Sequence, residues 1–165
     1  MTHDRLHQIE ENLSLLREQL GGMEKTLITA PAEENTRLQQ RIRLEIRPKM
    51  RQFEEEYWQI LAAQADELAI TEPDAEVVVA EIVQEVDHLA VSQTNPYPDA
   101  VLQILQEIRD KLNQPGTTAA AKLKGVISSM PPFIGVSYEA ELDTEAFFRK
   151  HFPTFTRVIK GAAKK

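Results

Sequence analysis

A heptad seam runs without interruption through the first thirty residues, and it restricts what the chain can fold into more than any other feature. Leu6, Ile9, Leu13, Leu16, Leu20, Met23 and Leu27 alternate three- and four-residue steps, the a and d positions of a helix that must bury one narrow stripe. After Ala30-Pro31 comes a second seam: Leu38, Ile42, Ile46, Met50, Phe53 and Tyr57. If the chain reverses between them, Met23 faces Leu38, Leu20 faces Ile42, Leu16 faces Ile46, Leu13 faces Met50, Ile9 faces Phe53 and Leu6 faces Tyr57. Each pair of residue numbers sums to about 62, which is a single antiparallel register. The expected fold class is mainly α: a long antiparallel helical hairpin, a coiled coil, packed with further helices and followed by a small C-terminal β-hairpin and helix. The periodicity leaves open whether the seam closes within one chain or on a second.

Two features disturb the hairpin. Gly21-Gly22 costs roughly 1 kcal/mol per glycine relative to alanine inside a helix, yet the seam continues through it, so a weakened last turn or a tight bend is expected. Pro48 removes the hydrogen bond to the Leu44 carbonyl, which predicts a kink or break over residues 44–48. The apolar spacing also changes there, from four-four before the proline to three-four after it. Trp58 lies one position off the seam and is expected to face another element.

Beyond the hairpin, Thr71 caps a third helix over about Pro73 to Ala90. Asn95-Pro96-Tyr97-Pro98-Asp99 is a rigid linker, and a fourth helix runs from Pro98 to Asn113. Past Gln114-Pro115-Gly116 the pattern turns strand-like at Gly125 to Ile127 and at Phe133 to Leu142, joined by Met130-Pro131-Pro132. Asp143-Thr144-Glu145 then caps a last helix interrupted at Pro153. The expected division is a hairpin over residues 1–70, a two-helix segment over 71–115 and a small α/β tail over 116–165.

Net charge is −7, unevenly spread. Residues 1–70 carry 13 acids and 9 bases, residues 71–114 carry 9 acids and 2 bases, and residues 115–165 carry 4 acids and 8 bases. Such polarity predicts a C-terminal segment lying against an acidic middle, in the same molecule or a neighbour. There is no cysteine, which removes disulfides and thiolate metal sites together and fits a reducing compartment. No apolar h-region and no run of about 18 apolar residues is present, so a cytoplasmic, soluble protein is expected.

Templates for chemistry find little. His3 and His7 sit at i and i+4 without a third ligand of matching placement, and Glu54, Glu55 and Glu56 read as a solvated run. No phosphate-binding, dinucleotide, nucleophile-elbow or zinc-protease string occurs. The expectation is a protein that is not an enzyme, holding no metal and no cofactor. The sharper alternative is nucleic acid, because Arg37, Arg41, Arg43, Arg47, Lys49 and Arg51 crowd into fifteen residues. Arg43, Arg47 and Arg51 form one stripe at four-residue spacing, with Tyr57 and Trp58 further along. The acidic total and the nearby glutamates argue against it and for charge pairing across the hairpin, with Glu10, Glu11 and Glu18 answering the stripe. Residues 122–136, basic in front and apolar behind, offer at most a membrane-surface segment, and a core strand pair is preferred.

The strings LHQIEENLSLLREQLGGMEK, from Leu6, and RLEIRPKMRQFEEEYWQIL, from Arg43, resemble the N-terminal hairpins of cyanobacterial signalling and conflict proteins. Those effector-associated modules are short coiled-coil adaptors joined to NACHT-type ATPases, TIR domains, caspase-like proteases, CHAT proteases or pentapeptide repeats. The tail AAAKLKGVISSMPPFIGVSYEAELDTEAFF, Ala119 to Phe148, is similar to a block found in the same group, including domains likened to the TRADD N-terminal fold. It places Lys122, Pro132, Phe133, Tyr138, Glu139, Glu141, Leu142, Asp143 and Thr144 on the matching positions. The resemblance covers roughly half of the chain and implies an adaptor that pairs with itself or recruits a signalling effector.

Overall fold

In the computed structural model, which describes residues 2–92 and 94–164, the chain is helical nearly throughout. Contacts divide it into two compact units, Met1–Tyr57 and Trp58–Lys165, with the division inside one helix. The boundary therefore falls well before residue 70, and the two helices after it are not marked off from the C-terminal segment.

The first unit contains helix α1 (Thr2–Thr29), α2 (Ala32–Arg41), a π-turn (Ile42–Ile46) and the start of α3 (Arg47–Ala63). Pro31 precedes α2 and Glu33 and Glu34 occupy its first turn, where the helix dipole favours them. The chain reverses between α1 and α2: Asn35 Nδ2 donates to the Leu27 carbonyl at 3.2 Å, and at the other end Arg5 grips Glu56. Helix α1 runs straight through Gly21-Gly22, where a Cβ on either residue would meet open space.

The kink expected at Pro48 is realised as the π-turn, closed by the Arg47 N–H on the Ile42 carbonyl. Its cause is legible in the spacing. A step of four residues overshoots an α-helical turn by about 40°, so the run Leu38, Ile42, Ile46, Met50 would wind off the seam. The wider turn takes up the excess and keeps Ile46 and Met50 buried. It also lies just ahead of Pro48, relaxing the contact between the proline ring and the Leu44 carbonyl that an α-turn would impose.

The second unit continues α3 into a short 3₁₀ turn (Ala65–Glu67), then α4 (Glu72–Val91), α5 (Asp99–Leu112), α6 (Ala119–Glu139), α7 (Thr144–His151) and α8 (Pro153–Lys164). Helices α4, α5 and α6 pack against one another, α8 lies on α4, and α7 contacts α6 and α8. Thr71 and Asp143 cap α4 and α7 through the N–H groups of Asp74 and Ala146, as their side chains predict.

The C-terminal β-hairpin is not formed; one helix, α6, occupies that stretch and runs through Pro131 and Pro132. Its buried residues, Leu123, Val126, Ile127, Met130, Phe133, Ile134, Ser137 and Tyr138, recur with helical period. That period outweighs the local alternation, the β-branched content and the loss of two backbone donors at the prolines. Helix α6 stops where Leu142 N–H bonds the Ser137 carbonyl and Glu141 N–H bonds the Tyr138 carbonyl. Glu141 takes the left-handed conformation (φ 59°) that this stop requires, a position usually given to glycine.

Candidate functional site

The seam of the first unit is buried unequally along its length. Leu6, Ile9, Leu13 and Leu16 on α1, with Ile46, Met50 and Tyr57 opposite, are buried. Leu20, Met23, Leu27, Leu38, Ile42 and Phe53 are only half-buried, and Leu15, Ile28 and Leu44 stand exposed nearby. Phe53 apart, the half-buried seam positions lie towards the α1–α2 reversal.

Its charges also differ from the expected pairing. The ion pairs that cross the hairpin run from α1 cations to α3 acids: Arg5 makes a two-pronged contact with Glu56 (2.7 Å for Nη2 to Oε1), and Arg17 reaches Glu54 at 3.0 Å. Glu54 is 5% exposed and Glu55 and Glu56 are half-buried, each with an arginine partner, so the run is a set of paired carboxylates rather than a solvated one. The Arg5 hydrogen bonds hold the Glu56 carboxyl below its ordinary value. Tyr57 donates to Glu10 at 3.3 Å, and burial, reinforced by the Glu10 charge, pushes its phenol upward.

Within the basic stripe, Arg51 pairs with Glu55 and Arg41 with Glu45, each along its own helix. Arg47 is half-buried, whereas Arg37, Arg43 and Lys49 are exposed. Tyr57 and Trp58, the rings that a stacking platform for bases would need, are both buried. Trp58 stacks on Phe155 with ring centroids 5.9 Å apart and tilts against Phe148 at 6.1 Å.

The tail residues serve the fold of the second unit. Phe133 and Tyr138 lie in the core, Pro132 is exposed, Lys122 is half-buried on α6, and Asp143 is the α7 cap. Buried Ser137 and Thr144 hydroxyls share a 2.7 Å hydrogen bond across the turn. Pro132 apart, the side chains of the tail block that meet the rest of the unit do so by packing and by ending one helix and starting the next.

The acidic middle meets the C-terminal segment mainly through helix ends. Glu72 accepts the Ala119 and Ala120 N–H groups at 3.1 and 2.8 Å, closing the start of α6, and Glu81 accepts the Thr154 N–H at 3.2 Å at the start of α8. Carboxylates are favoured at these positive ends. Glu85 holds His151 Nδ1 at 2.7 Å, and His151 Nε2 meets the Tyr97 hydroxyl at 2.7 Å. Burial, then the Glu85 charge, push the Tyr97 phenol upward, which opposes its use as a phenolate nucleophile. This carboxylate–imidazole–phenol chain ties the linker before α5 to α4 and α7. Sequence reading missed it because its members lie 66 and 54 residues apart.

A small apolar cleft of about 20 Å³ lies among Ile82, Leu105, Met130 and the rings of Phe133, Phe148 and Phe155, little more than one water's space. A shallow groove of about 430 Å³ lies between Ala62, Ala65 and Asp66 and the small residues Ala121, Gly125 and Ser128 of α6. Among the described residues no group of three or more His, Cys, Asp or Glu side chains converges as metal ligands, and no helix is long and apolar enough to cross a membrane. Compared with protein families, curated proteins and solved structures, the chain matches none.

Proposed function

We propose that this protein is a non-enzymatic, cytoplasmic adaptor whose first unit is a coiled-coil hairpin that pairs with a second hairpin. That second hairpin is its own copy when the protein oligomerises, or an effector's when it recruits one in signalling. The observation that carries the reading is the unequal burial of one continuous seam: Leu6 to Leu16 are covered, whereas Leu20, Met23, Leu27, Leu38 and Ile42 are half-open. Apolar a and d positions left half-open are what a further pair of helices covers in a four-helix arrangement. The resemblance of the heptads and tail to effector-associated adaptor modules points the same way.

Hydrogen exchange of the full chain across a concentration series tests self-pairing. Amides of residues 20–28 and 38–42 are expected to gain protection as concentration rises, and Met23→Asp with Leu38→Asp is expected to remove the gain. Protection in these segments that does not change with concentration would sink the self-pairing form of the reading.

A further inference from the structure

The outer face of the π-turn and the outer face of α4 form a complementary pair that the seam does not involve. On the first, Leu44 is 65% exposed and Pro48 beside it is exposed, amid the cations Arg37, Arg43 and Lys49. The segment 37–51 holds six bases and one acid. On the second, Val77 is 58% and Val91 79% exposed. Ala80 and Gln84 continue the stripe between them, and exposed Asp74 and Glu76 flank it. Positions 77, 80, 84 and 91 share one face of a helix, while the opposite face of α4, with Val78, Ile82 and Val86, is buried. Exposed His88 also lies on the α4 stripe, and Glu45, paired with Arg41, interrupts the basic rim; the net charge around Leu44 is nevertheless positive and that along α4 negative.

We propose that the chain self-associates head to tail, with Leu44 and the basic rim of one copy seated on the Val77–Val91 stripe and acidic rim of the next. Neither face suits a copy of itself, because like charges would meet, so a twofold contact through either is disfavoured. Both halves of the pair lie on every chain, which makes a second copy the matching partner. A contact that joins two different surfaces propagates from copy to copy instead of ending at a dimer. Two single-helix faces cover less than the roughly 1,200 Å² at which stable interfaces begin, so each link is weak, screened by salt, and seen through accumulation. The proposal goes beyond seam pairing and does not depend on it.

Light scattering and sedimentation of the full chain test it. In the Met23→Asp, Leu38→Asp background, which removes seam pairing, the average mass at low ionic strength is expected to climb with concentration past that of a dimer, and to fall towards the 18.8 kDa of one chain in about 0.5 M salt. Leu44→Asp and Val77→Arg, both at exposed positions and each made in the same Met23→Asp, Leu38→Asp background, are each expected to leave a folded monomer. Mixed together they are expected to form a one-to-one complex, because each retains the face that the other lacks. Arg43→Glu and Glu76→Arg serve as a second pair: each weakens association, and both in one chain restore it. A background chain that stays monomeric at low salt, a mass that levels off at a dimer untouched by Leu44→Asp, or a mixture that remains monomeric would each overturn the proposal.

Discussion

The two units bury apolar surface by different means. In the first, one stripe on α1 meets one stripe on α2 and α3, and burial depends on position along the stripe, from inaccessible Ile9 to half-buried Met23 and Leu27. In the second, Phe133, Phe147, Phe148, Phe152 and Phe155 form a cluster with ring centroids within about 6 Å of their neighbours, and Trp58 stacks against it. Close packing in three dimensions makes every residue of such a cluster matter, whereas a one-dimensional seam tolerates loss at its open end.

The largest expected effect separates the two. Phe155→Ala removes a fully buried ring and is expected to cost about 3–5 kcal/mol, and Met23→Ala on the half-open seam about 1 kcal/mol or less. Denaturant titration reads both, with Trp58 fluorescence reporting the second unit, because Phe155 is its stacking partner, and far-ultraviolet circular dichroism reporting all helices. Equal midpoint shifts for the two variants would break the comparison.

The next effect sharpens the account of the hairpin. Leu38, Ile42, Ile46, Met50, Phe53 and Tyr57 are separated by steps of four, four, four, three and four. Removing one residue between Ile42 and Ile46 would leave four, three, four, three and four, a regular heptad pattern. The π-turn is then a single extra residue held in place by the seam on both sides and tolerated beside Pro48. Deleting Arg43 alone is expected to destabilise the chain, because an α-turn brings back the proline clash, worth about 3 kcal/mol in a helix interior. Deleting Arg43 together with Pro48→Ala is expected to recover that loss. A double-mutant cycle with no coupling between the two changes would mean that the turn and the proline are unrelated.

These contrasts also explain what was legible in the sequence. A seam repeats, so α1, its partner and their reversal could be read from spacing alone, and the caps Thr71 and Asp143 announce themselves within three residues. The π-turn left a trace, the changed step at Pro48, but a spacing does not say whether a helix kinks, breaks or widens. Helix α6 was misread because glycine, two prolines and β-branched residues all speak against a helix locally, while burial of Leu123 through Tyr138 decides for it. Glu72 on the start of α6 and Glu85 on His151 join residues more than 45 positions apart, and no local pattern marks such a pairing. Of the candidate surfaces, the seam was visible in advance; the exposed stripe of α4 and the exposure of Leu44 depend on which faces the fold covers.

The smallest expected effect lies at the end of α6, where the chain stops one helix and starts another within a few residues. Glu141 holds φ 59°, a conformation that strains a side chain bearing a Cβ by about 1–2 kcal/mol. Its backbone N–H is already committed to the Tyr138 carbonyl, and the side chain is exposed. Glu141→Gly relieves the strain but gives the unfolded chain more freedom to lose, so a net gain of about 0.5–1 kcal/mol is expected. Because the stop belongs to the second unit, the shift should be seen in the Trp58 fluorescence transition. A loss of stability on Glu141→Gly would instead mean that the Glu141 side chain supports the turn through contacts of its own, and that the stop is held by more than its two backbone bonds.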